Sequence, residues 1–181
     1  MRPEIAEQRC HYSVGLDLGM RRDHAAIAVV ETAHIVFHAI DPVTWQRKSA
    51  VEYTVRHLER IPLETRYTEI AHRVRSVTSA RDLVDNCTVV MDATGLGAPV
   101  YEMLKSVLRC QIKPVVITAG DQEVYGRGQY HLPKKDLITG VEVMLALGEL
   151  RVIKRMRHLP EFMEGLRANA GEANTHELCP V

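Results

Sequence analysis

Asp17 and Asp92 each sit where a short apolar stretch stops. In SVGLDLG (13–19), Val14, Leu16 and Leu18 alternate with Gly15, Asp17 and Gly19, the period of a strand with one apolar face. TVVMD (88–92) has the length of a buried strand and is stopped by the turn formers of ATGLGAP. In mixed α/β sheets, ligands bind beyond the carboxyl ends of parallel strands. If these two strands are neighbours, their backbones lie about 4.8 Å apart, and the two carboxylates repel unless a cation sits between them. Mg2+ or Mn2+ suits such a pair, since Mg2+ takes a few carboxylates plus water and a phosphate oxygen. Two such ions about 3.5–4 Å apart can activate water and stabilise the leaving oxygen of a phosphodiester. Aspartates at strand ends also act as turn formers and helix N-caps, so position alone leaves both roles open.

Asp23 and Asp136 could add to the acidic pair. Asp23 falls in a short loop, where aspartate is a common turn residue. Asp136 falls in the first turn of an expected helix, where the helix dipole favours a carboxylate. The phosphate-binding candidates are Arg21 and Arg22 beside Asp17, Lys134 and Lys135 at the same helix start, and Arg151, Lys154, Arg155 and Arg157 in RVIKRMRH. Positive charge opposes the dipole at a helix N-terminus, and a bound phosphate would relieve that while using the free N–H groups. A solvated charged face is the plainer account of any one of them. His131 could reach phosphate, and Trp45, Tyr125 and Tyr130 could stack on bases.

The elements that must position these residues follow from periodicity. AAIAVVE (25–31) is expected to pair antiparallel with 13–19 across the short MRRDH loop. A third strand is expected at 51–58, with 39–50 as a loop. Helical spacing over 67–80 precedes the Asp92 strand. A helix from Pro99 to Leu108, a strand at 112–118 and a polar loop then lead to a helix at 133–147. That last helix is expected to bury Leu137, Ile138, Val141, Met144 and Leu145 and to end at Gly148, before a short strand at 150–153. The order predicts an α/β domain: a mixed sheet of antiparallel hairpin strands followed by parallel strands, with helices on both faces.

At 181 residues, with 23 basic and 23 acidic residues, the chain has one domain's length and no overall cationic field. Its domain is expected at 13–155, between an N-terminal extension (1–12) and a weakly patterned tail (156–181). The four cysteines form no CxxC pair, and no signal peptide or membrane-length apolar run is apparent, so the cytoplasm is the expected compartment.

VGLDLGMRRDHAAIAVV (14–30), YTVRHLERIPL (53–63), VVMDATGLGAPVYEML (89–104) and YHLPKKDLITGVEVMLALGELRVI (130–153), in that order, resemble the nuclease domain of phage terminase large subunits. The resemblance implies a ribonuclease-H-like fold and Mg2+- or Mn2+-dependent cleavage of double-stranded DNA during genome packaging, in a phage- or prophage-carrying bacterium. Asp17 and Asp92 would be the catalytic metal ligands, and the partners would be a packaging ATPase, a small terminase subunit or a portal. The chain departs from the family in lacking its late acidic segment, so a third ligand is not identified. It also carries no GxxxxGK[ST] motor motif. Two other readings fit the same residues. One is a non-catalytic DNA-binding or assembly module. The other is a nucleotide-binding domain like actin or Hsp70, whose phosphate loops GLDLG and DATGLG resemble, although that superfamily normally needs two such domains.

Overall fold

A computed structural model of the chain describes residues 4–19, 23–95, 98–153 and 156–170. Alternating apolar residues build an antiparallel meander of β1 (Ile5–Asp17), β2 (Ala26–Ile40) and β3 (Arg47–Arg60). Then follow α1 (Tyr67–Thr78), β4 (Cys87–Asp92), α2 (Ala98–Val107), β5 (Gln111–Thr118), β6 (Val124–Gly126), β7 (Gln129–Pro133), α3 (Lys134–Ala146), β8 (Leu150–Val152) and α4 (Leu159–Ala170). The eight strands form one sheet in the order β6-β7-β5-β4-β1-β2-β3-β8. β1, β4, β5 and β7 run parallel, as do β3 and β8. The expected α/β mixed sheet is therefore observed, and α1, α2 and α3 make the crossovers that parallel strands require.

Alternation sends Val14, Leu16, Ile27, Val29, Val89 and Met91 to one face of the sheet, where Ile70, Ala71 and Val74 of α1 and Leu104 of α2 cover them. The opposite face carries the intervening residues Gly15, Asp17, Ala28, Val90 and Asp92. It is bordered by Leu137 of α3 and Phe162 of α4, so helices flank both faces.

Several segments are more ordered than their side-chain patterns imply. Residues 5–12, expected as an extension, belong to β1, because main-chain pairing with β2 holds them although their side chains are mostly polar and exposed. The loop expected at 39–50 shrinks to a turn at 41–46, in which Asp41 Oδ1 accepts hydrogen bonds from the N–H groups of Val43 (2.8 Å) and Thr44 (2.9 Å). The polar loop before α3 contains the β6–β7 hairpin. The weakly patterned stretch after 156 contains α4. Gly148, with φ at 66°, ends α3 as expected, but α3 has no buried residue because it lies over the more open face. Among the described residues, no helix is long and apolar enough to cross a membrane.

Candidate functional site

The pairing of β1 with β4 runs without a shift from Tyr12↔Cys87 to Leu16↔Met91. One further step places Asp17 beside Asp92, on the face away from the main core and at the carboxyl ends of two central parallel strands. Both line a groove of about 720 Å³, together with Asp23, His24 and Arg60 from the β1–β2 and β3 ends and with His158 and Glu161 at the start of α4.

Local sequence fixes each carboxylate. β4 stops where Ala93 N–H donates to the Val115 carbonyl (2.7 Å) and Thr94 N–H donates to Asp92 Oδ1 (2.8 Å), a turn closed by Thr94 Oγ1 accepting from Ile117 N–H (2.9 Å). Asp92 thus serves as a turn former with one oxygen, which leaves its role as a ligand open. On β1, Gly15 faces Ala28 across the strands, and these small residues keep the groove floor low.

Burial raises the Asp17 carboxyl above its ordinary range, and the charges of Asp92 and then Asp23 push it further in the same direction. A cation between the carboxylates would remove that penalty. The donor set suits a hard ion that keeps most of its own water. Among the described residues, however, no group of three His, Cys, Asp or Glu side chains is placed to hold a metal. Asp23 shares the groove and acts on Asp17 electrostatically. Asp136 sits exposed in the first turn of α3 and does not line the groove.

Among the described residues, the expected phosphate contacts do not form one patch. Lys134 and Lys135 open α3 at the pole that also holds Asp17 and Asp92, because β7 runs parallel to β5. Lys135 Nζ donates to Asp121. Arg151 lies on β8 at the opposite edge of the sheet, donating to Glu52 Oε1 at 2.7 Å. Arg157 is exposed, while Arg21, Arg22, Lys154 and Arg155 lie outside the described residues. His131 is half-buried on β7, and Tyr125 and Tyr130 pack on each other with ring centroids 4.7 Å apart. Trp45 is exposed in the turn at the far end of the meander from Asp17.

Sequence reasoning missed His24, Arg60, His158 and Glu161 as groove residues. His24 is oriented by a 2.8 Å hydrogen bond between Nδ1 and the Ile61 carbonyl, and His158 Nδ1 lies 3.6 Å from Glu161. HLPE (158–161) did carry a signal, because proline followed by an acid marks a helix start. No protein-family model matches this chain, and no curated protein matches it in sequence.

Proposed function

We propose that the chain is a phosphodiesterase domain that works with a divalent cation. Within that class, it is read as a DNA endonuclease of the ribonuclease-H-like kind that resembles the nuclease of phage terminase large subunits. One observation carries the reading: Asp17 and Asp92 stand in register on adjacent parallel strands, with the Asp17 carboxyl raised by burial and by its acidic neighbours. The antiparallel meander continued by parallel strands on the β1 side also supports it. A divalent cation bound there supplies neutralisation of phosphate charge and an activated water. The chain's own part is to hold two carboxylates at one sheet rim, with Asp92 fixed by its turn and Asp17 exposed at the neighbouring strand end. Lys134 at the same pole would meet the DNA backbone. In this reading the domain acts with a packaging ATPase in the bacterial cytoplasm.

The test is nicking of supercoiled plasmid across a Mg2+ and Mn2+ titration. Nicking by the wild type that is lost in Asp17→Asn and Asp92→Asn, with far-ultraviolet circular dichroism unchanged, is the expected result. No nicking at any metal concentration, or full activity in both variants, overturns the reading. The lack of a three-residue ligand set among the described residues favours a second reading, a DNA-binding or assembly module without catalysis. A gel shift with plasmid or duplex DNA, without metal-dependent nicking, would identify it.

A further inference from the structure

Cys87 begins β4, and Cys110 immediately precedes β5. These strands pair in parallel without a shift from Thr88↔Gln111 onward, so extending the ladder one step back sets Cys87 beside Cys110. The Cys110 thiol lies near enough to Cys87 to raise the Cys87 thiol's pKa. Both belong to the main core, Cys87 buried at 7% exposure and Cys110 half-buried at its margin. Neighbouring strands are about 4.8 Å apart, inside the Cα separations of about 4.4–6.8 Å that disulfides adopt. Cys10 is a poor partner, since it precedes by two residues the Tyr12 that stands beside Cys87, which puts it roughly 8 Å away.

We propose that Cys87 and Cys110 form a reversible oxidation site, closing a disulfide that joins β4 to β5 at the pole opposite Asp92. With hydrogen peroxide as oxidant, the half-exposed Cys110 reacts first. Its sulfur takes one peroxide oxygen, the O–O bond breaks, and one water leaves as Cys110 becomes a sulfenic acid. The Cys87 sulfur then attacks the Cys110 sulfur; the S–S bond forms, the S–O bond breaks, and the hydroxyl leaves with the Cys87 proton as a second water. Two thiols have lost two electrons and peroxide has gained them. Burial, followed by the influence of Cys110, pushes the Cys87 thiol up to about 12, so the second step accelerates with rising pH. The loop closed by this bond contains Asp92 and α2, so oxidation stiffens the strand that carries one of the paired aspartates. None of this depends on the nuclease reading.

The experiment treats the full chain with hydrogen peroxide, caps free thiols and maps peptides under non-reducing conditions by mass spectrometry. The expected product is a Cys87–Cys110 linked peptide two hydrogens lighter than the reduced pair and restored by dithiothreitol. The oxidised protein should melt about 5–10 °C higher. Cys110→Ser should lose both the link and the rise in melting temperature, whereas Cys10→Ser should keep both. Links through Cys10 or Cys179 instead, or a sulfinic acid at Cys110 with no link in the wild type, overturn the proposal.

Discussion

Gly19 is packed against the backbone of His24: a Cβ added at Gly19 would lie 2.5 Å from the His24 carbonyl carbon and 2.6 Å from its oxygen, and closer still to the carbonyl of Asp23. No side-chain rotation can relieve contacts made by backbone. Gly19→Ala must therefore open the β1–β2 connection two residues beyond Asp17. It should cost about 2–3 kcal/mol, in the range of overpacking strain. Gly15→Ala is the control, since a Cβ there meets Ala28 at an ordinary 3.8 Å. Urea unfolding of both variants checks this, and equal losses would show that close approach is not what Gly19 serves.

The raised carboxyl of Asp17 sets a sign for stability against pH. A group whose folded pKa lies above its unfolded value contributes stability that is present below the unfolded pKa, about 3.9 for aspartate. That contribution is lost as pH rises through the higher folded value. With chelator present, Asp17→Asn should therefore gain on wild type as pH climbs from the unfolded aspartate pKa, about 3.9, through the higher folded value, and the gap should then level off. Adding Mn2+ at neutral pH should raise the melting temperature of wild type and leave Asp17→Asn unmoved. Parallel melting curves for the two proteins across pH would refute the electrostatic account.

What could be read in advance follows from where side-chain pattern and burial coincide. Val14, Leu16, Val89 and Met91 alternate cleanly and are fully or nearly fully buried, so the two Asp-bearing strands were visible in the sequence. Residues 5–12 and 32–40 pair through main chain while many of their side chains face solvent, and main-chain pairing leaves no mark on hydropathy. The basic candidates clustered in sequence, but the sheet order separates the start of α3 from β8. Glu161 and His158 reach the groove only through α4, whose position depends on tertiary packing.

Glu31 is a buried carboxylate satisfied from both neighbouring strands. It accepts hydrogen bonds from Arg56 Nε (3.0 Å) and Nη2 (2.8 Å) and from the Tyr12 hydroxyl (2.9 Å). Arg56 holds the Glu31 carboxyl below its ordinary range, so its stabilisation is present above the unfolded glutamate pKa and is lost as pH falls through the folded value. Arg56→Met strands the charge and should cost about 3 kcal/mol at neutral pH. Tyr12→Phe should cost only about 1 kcal/mol. Acidification should shrink the Arg56→Met deficit, because a protonated Glu31 no longer needs the guanidinium. A deficit that is constant from neutral to acid pH would mean that Arg56 acts through packing alone.

Leu104 is the point at which α2 enters the core. Fully buried, it belongs to the cluster formed by Val89 and Met91 of β4 and by Ile70 and Val74 of α1. Leu104→Ala removes three carbons where both the sheet and a second helix are rigid neighbours, so little collapse can fill the gap. The expected loss is about 3–4 kcal/mol, in the middle of the range for leucine truncation. Leu137→Ala, on the open face where α3 buries nothing, should cost less than about 1 kcal/mol. Denaturant titrations of the pair compare the two faces directly. Comparable losses would mean that α3 is packed as tightly as α2 and that the groove beside Asp17 is less open than its lining indicates.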